Sequence, residues 1–168
     1  MEWFDLYDKN RQALGKTHQR GIPLPRGTYH IVAHVWIIDS RGRLLLTLRS
    51  PEKPNYPNTW AITGGAVVAG ETSLEGVARE VFEETGIRAG TEEFQFLGSI
   101  RRKDSFADTY LLKKDVPLEE LVMQEGETCD ARWVTRREFE ALIARGVVAP
   151  PDVRRYHQLA DVLGNFLR

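Results

Sequence analysis

The sequence predicts an α/β protein built on one mixed β-sheet packed between helices. Three observations carry this expectation. Residues 29–39, YHIVAHVWIID, form a nearly continuous apolar run, as a central strand buried on both faces requires. Residues 74–85 bring Leu74, Val77, Ala78, Val81 and Phe82 to helical spacing in mid-chain, with strand-like runs before and after. Two amphipathic stretches close the C-terminus, so helices can cover the sheet.

From the N-terminus, residues 2–7 (EWFDLY) read as a strand, 8–11 as a turn and 12–19 as the returning strand. They make an N-terminal hairpin extension over 1–27, ending in the loop 21–27 with Pro23 and Pro25. After the 29–39 strand, Ser40-Arg41-Gly42 turns the chain into a paired strand over 43–49, RLLLTLR. His30 and His34 are an even number of residues apart and face one side of their strand. They could be metal ligands, polar residues lining a pocket, or core histidines bonded to backbone. Pro51, Pro54 and Pro57 make 50–58 a long loop. It leads to Trp60-Ala61-Ile62-Thr63-Gly64-Gly65, where the two glycines end a strand and leave the backbone open to a ligand or metal.

Ser73 is expected to N-cap the helix over 74–85, and Gly86 to stop it. Residues 93–100 and 107–113 read as two strands around a basic turn, 101–104, of the kind that forms a solvated loop. A loop with one helical turn over 115–123 leads to the last strand, 129–134. Thr135 N-caps a helix over 136–145, with Glu138 at the capping-box position. Pro150-Pro151 is expected to break the chain before a final amphipathic helix over 152–167, so that helices fill 135–168.

The 168 residues fit a single domain, 1–168, and 42% hydrophobic content supplies a core for it. A net charge of −1 gives no reason to expect nucleic-acid or membrane partners. The single cysteine, Cys129, excludes an internal disulfide framework and fits a reducing compartment. The start, MEWFD, is acidic and aromatic, unlike a signal peptide, and no apolar run is long enough to span a bilayer. A cytoplasmic protein is the expectation.

The chemistry concentrates in residues 65–87, GAVVAGETSLEGVAREVFEETGI. Glu80, Glu83 and Glu84 stand at i, i+3 and i+4 on one face of the helix, and Arg79 can reach Glu83 at i+4. Three adjacent carboxylates repel unless something positive sits among them, and hard divalent cations take such oxygen ligands. An acidic helix face alone can simply be solvated. The full spacing says more: Gly65, five residues, Glu71, seven residues, Arg79-Glu80, Val81, one residue, Glu83-Glu84, one residue, Gly86-Ile87. This resembles the Nudix box of the Nudix hydrolases at every defined position, and the wider family pattern extends in outline over about residues 29–145.

The resemblance implies a Nudix α/β/α sandwich and a hydrolase of diphosphate bonds using Mg²⁺, with Mn²⁺ the alternative. It implies Glu80, Glu83 and Glu84 as metal ligands, with a carbonyl from Gly64 or Gly65. Glu71 would help through water or by supporting the loop, and Arg79 would orient a glutamate. The general base would be Glu80, or else Glu125 or Glu127 from the loop before the last strand. Arg49 and Lys53 would meet substrate phosphates or remain surface charges. Trp36, Tyr56 and Trp60 are the candidates for an aromatic shelf under a base.

The expected partner is a small-molecule diphosphate, a nucleoside diphosphate derivative or another small organic diphosphate, and the chain could pair as a homodimer. The hairpin, with YHIVAHVWI and LLLTLRS, resembles the branch related to type 1 isopentenyl diphosphate isomerases. The catalytic cysteine and metal-binding histidine of that branch have no counterpart in residues 59–63. Residues 45–50 echo only the start of a coenzyme A diphosphatase signature, Pro117 lies too far after the box for the ADP-ribose hydrolase pattern, and Tyr110 is only loosely placed for that of dinucleoside polyphosphate hydrolases. A non-catalytic nucleotide-binding module would typically lack box carboxylates, and none is lacking here.

Overall fold

In the computed structural model, which describes residues 1–168, the elements run β1 (Trp3–Tyr7), β2 (Ala13–Gln19), β3 (His30–Ile38), β4 (Leu44–Arg49), β5 (Trp60–Ala61), β6 (Thr63–Ala66), α1 (Ser73–Thr85), β7 (Phe94–Arg101), β8 (Ser105–Lys113), β9 (Thr128–Val134), α2 (Arg136–Ala144), α3 (Pro150–Gln158) and α4 (Ala160–Leu163). The apolar run becomes β3, and its alternate side chains do enter two separate cores. Ile31, Ala33, Val35 and Ile37 pack with Val77 and Val81 of α1. Trp36 and Ile38 pack on the other face with Phe139, Leu142, Tyr156 and Leu163 of the C-terminal helices. The sheet is mixed, because β3 pairs in parallel with β8 while every other pairing is antiparallel. The α/β sandwich read from the sequence is the observed one. No helix is long and apolar enough to cross a membrane.

One departure from a plain meander positions the site. β3 and β4 pair only at Ile38↔Leu44 and then separate. The segment Trp60–Ala66 fills the opening as a wedge. It pairs first with β4, at Leu48↔Trp60 and Thr47↔Ala61, and then crosses to β3, pairing from Val35↔Thr63 to Val32↔Ala66. Gly64 and Gly65 therefore lie inside a strand, β6, instead of ending one. At the crossing point the Ile62 N–H donates to the Asp152 carboxylate of α3 at 3.1 Å.

Three local expectations change. Thr72, not Ser73, caps α1: its hydroxyl accepts from Glu75 N–H (3.2 Å) and Glu75 accepts from Thr72 N–H (2.8 Å), a reciprocal box that Ser73 has no glutamate to complete. The Ser73 hydroxyl instead accepts from buried Tyr110. Pro150 and Pro151 do not break the chain; they open α3, where a missing N–H costs nothing. The last helix is not continuous over 152–167, since Leu159 leaves helical geometry between α3 and α4, and Tyr156, Leu163 and Leu167 are all buried across that break.

The N-terminal hairpin β1–β2 forms as expected and is fastened to the main sheet by a side chain its turn supplies. Arg11, at φ 63, sends its guanidinium to Asp108, a fully buried carboxylate of β8, with two hydrogen bonds of 2.7 and 2.5 Å. A buried carboxylate left without its cation is costly. Arg11→Ala should lower stability by about 2 kcal/mol in urea unfolding, and Arg11→Lys should recover part of it. A loss under about 0.5 kcal/mol would mean that the pair does not hold the hairpin.

Candidate active site

The site lies where the wedge meets α1; at Gly64 nothing larger fits against the β3 backbone, and at Gly65 a side chain would displace the Glu80 carboxylate. A Cβ on Gly64 would fall on the Ala33 carbonyl oxygen and the His34 ring; one on Gly65 would fall on the Glu80 carboxylate. The backbone of β6 can thus lie directly against both β3 and the acidic face of the helix.

A cleft of about 160 Å³ opens over this contact, lined by Gly64, Gly65, Glu80, Glu83 and Glu84. Arg49, Lys53 and Glu127 form its far wall, so the structure brings these sequence-identified residues together. Glu125 is exposed and does not line the cleft. Arg79 lies beside the cleft without lining it. Its Nη1 donates to Glu80 (2.9 Å) and Glu83 (3.0 Å), its Nε to Glu71 (2.8 Å), and its Nη2 to the Ala66 carbonyl (3.0 Å). Arg79 therefore orients two helix glutamates at once, and Glu71 braces it from the loop.

The cations on the wall are already engaged. Arg49 donates to the carbonyls of Asn55 (3.1 and 2.8 Å) and Tyr56 (3.2 Å), which folds the Pro-rich loop over it. Lys53 is ion-paired with Glu127. Of the proposed aromatic shelf, Trp36 is fully buried in the core and Trp60 nearly so beneath Arg132, leaving Tyr56 alone exposed. His30 and His34 share one face of β3, as their spacing requires, but α1 packs on the opposite face. His30 stacks on Phe4, and His34 Nε2 meets Arg155 at 2.6 Å. Neither reaches the box carboxylates, so the metal-ligand reading of the histidines is withdrawn.

The carboxylates are electrostatically stressed. Burial pushes the Glu84 carboxyl up to about 8, helped by the neighbouring Glu80 and Glu127 charges, while the nearby Gly64 backbone amide pulls the other way. Burial also raises Glu80, against the lowering effect of Arg79. No three acidic, His or Cys side chains are gathered closely enough in this conformation to hold an ion. The donor set nonetheless fits a hard divalent cation: several carboxylates and the β6 backbone around one cleft, carrying negative charge that burial alone disfavours.

Several residues of this region could not be found from local pattern. Glu2 and Arg20 of the hairpin and Gln124 of a loop line the same cleft. Asp152 and Arg155, both buried, form an ion pair behind the wedge. Only the tertiary fold brings them there; each sits in a stretch that reads as strand, turn, loop or amphipathic helix.

The sandwich and the intact box identify the class, and comparison with known proteins agrees. The chain belongs to the Nudix hydrolases: the NUDIX domain family model matches residues 28–155. It is 40% identical over 151 residues to an uncharacterised Nudix hydrolase of Listeria monocytogenes, covering 89% of each chain. It superposes on a crystal structure from Deinococcus radiodurans with a TM-score of 0.74 at 26% identity, covering 99% of this chain and 100% of that one. An isopentenyl-diphosphate Delta-isomerase of Streptomyces coelicolor is 33% identical over 84 residues, 49% of this chain and 43% of that one. The likeness to the isomerase is thus confined to half of the chain, whereas the hydrolase likeness runs through nearly all of it.

Glu84 sets a pH dependence. Between its ordinary value of 4.5 and about 8, the folded state holds a proton that the unfolded state has released. In metal-free protein, stability should therefore fall as pH rises through that window, and Glu80 acts in the same direction. Thermal midpoints measured in chelator from pH 5 to pH 9 should decline more steeply for wild type than for Glu84→Gln. Equal slopes would count against the buried-carboxyl account.

Proposed function

We propose that the protein is a Mg²⁺-dependent hydrolase that cleaves the P–O–P bond of a nucleoside diphosphate derivative or another small organic diphosphate. The observation that carries this reading is the convergence of Glu80, Glu83, Glu84 and Glu127 with the Gly64–Gly65 backbone on one cleft. Glu80, Glu83 and Glu84, with a carbonyl of Gly64 or Gly65, would hold the cation. Mg²⁺ bound there neutralises non-bridging phosphate oxygens and makes a water nucleophilic at neutral pH; Mn²⁺ can supply the same chemistry.

The chain's own residues have separable tasks. Arg79 holds the Glu80 and Glu83 carboxylates side by side on the helix face. Glu127, a cleft carboxylate outside the box, accepts the proton of the attacking water, and Lys53 is ion-paired with it. Water oxygen bonds to phosphorus, the bridging P–O bond breaks, and the released phosphate leaves with its electron pair. Arg49 and Lys53 supply positive charge along the wall toward the phosphates.

An isomerase reading finds no support in the site. Cys129 is exposed on β9, with its thiol near the Leu48 carbonyl, and does not line the cleft.

The test is phosphate release across nucleoside diphosphates, nucleoside diphosphate sugars and isoprenoid diphosphates, with Mg²⁺, Mn²⁺ or chelator. Turnover should need the metal and fall at least about a hundredfold in Glu83→Gln and Glu84→Gln. Gly65→Ala, which drives a methyl into Glu80, should lose activity to a similar degree. Absence of metal-dependent turnover on every diphosphate would end this reading.

A further inference from the structure

The cleft has a third cation, contributed from outside the residues that the family model covers. Arg20 ends the N-terminal hairpin and lines the same cleft as Glu80, Glu83 and Glu84. The family match begins at residue 28. We propose that Arg20 binds a phosphate of the diphosphate substrate, releasing Glu2 to do so. This rests on the reading of the cleft as a diphosphate hydrolase site.

The three cations differ in how firmly each is already engaged. Arg49 has its guanidinium committed to the Asn55 and Tyr56 carbonyls. Lys53 is paired with Glu127, and its side chain is 15% exposed. Arg20 has one side-chain partner, Glu2, in an ion pair whose members are 56% and 46% exposed. Such an exposed pair contributes little, so exchanging it for a ligand costs little. A guanidinium also takes two phosphate oxygens at once, a geometry a lysine lacks.

Arg20 is held for this task by its backbone, not by its ion pair. Its N–H donates to the Glu2 carbonyl at 2.9 Å, closing the open end of the hairpin. β1 is tied to the loop that enters α1: Ala69 N–H donates to the Trp3 carbonyl and Gly70 N–H to the Asp5 carboxylate, each at 2.8 Å. Arg11 fastens the turn at the other end to Asp108. The hairpin is therefore docked on the box loop at one end and on the central sheet at the other, with Arg20 fixed over the acidic face.

Two measurements test this. In the first, steady-state kinetics on the best diphosphate compare wild type, Arg20→Ala, Arg20→Lys and Arg26→Ala, an exposed arginine of the next loop. Arg20→Ala should raise KM about tenfold with kcat within about twofold, Arg20→Lys should recover part, and Arg26→Ala should match wild type. In the second, calorimetry measures binding of methylenediphosphonate, a non-hydrolysable diphosphate, in Mg²⁺. Wild type should bind, and Arg20→Ala should bind about tenfold more weakly whether or not any substrate turns over. Glu2→Gln, which breaks the same ion pair but leaves the arginine, should not weaken binding. Equal affinities for wild type and Arg20→Ala, no wild-type binding, or an equal loss in Glu2→Gln would each overturn the assignment. Absence of turnover with the binding difference intact would instead remove the hydrolase reading.

Discussion

The structure depends on one close approach of backbone to side chain. β6 lies against β3 on one side and against the Glu80 carboxylate on the other, and both contacts exist only because positions 64 and 65 have no Cβ. If the wedge moved outward by the width of a methyl group, the helix carboxylates would lose the backbone that lines the cleft beside them. The parting of β3 and β4 after Ile38↔Leu44 makes room for this segment. Asp152 pins the point where the segment changes partners. The acidic helix face is thus one half of the site, and the sheet defect opposite it is the other.

Charge is arranged around that contact in layers. The carboxylates nearest the wedge are the most buried, and they are the ones whose acidity is most suppressed. Arg79 balances part of this from the side, reaching Glu71, Glu80, Glu83 and the Ala66 carbonyl without entering the cleft. A doubly charged cation bound there would favour the ionised carboxylates that burial disfavours. Arg49, Lys53 and Arg20 bring positive charge to the same cleft. A ligand that is itself anionic but bridged by a metal matches that distribution.

Much of this was legible in the sequence because it is local. Helical spacing and box spacing both lie within 65–87, and the β3 run announces burial on two faces by lacking polar alternation. The Thr135 cap with Glu138 was readable for the same reason, since a capping box is complete within four residues. What could not be read depends on contacts between distant segments. The Ser73 hydroxyl is taken by Tyr110, Arg49 by loop carbonyls, and Trp36 and Trp60 by core packing instead of a ligand shelf. The His30/His34 parity was correct, yet which face α1 would choose is decided by the packing of Val77 and Val81 against Ile31, Val35 and Ile37. The buried Asp152–Arg155 pair reads in sequence as ordinary charge on an amphipathic helix.

The parallel pairing of β3 with β8 joins His30 to Ser105 and Ile38 to Lys113. During synthesis, β3 leaves the ribosome well before the strand that completes it exists. At about 5–20 residues per second, the intervening stretch takes several seconds to translate. For that time the most apolar strand of the protein has an unpaired edge, sticky toward other nascent chains. Non-local strand pairing of this kind also slows folding after release. The cell therefore has to shelter a segment that the finished molecule largely hides.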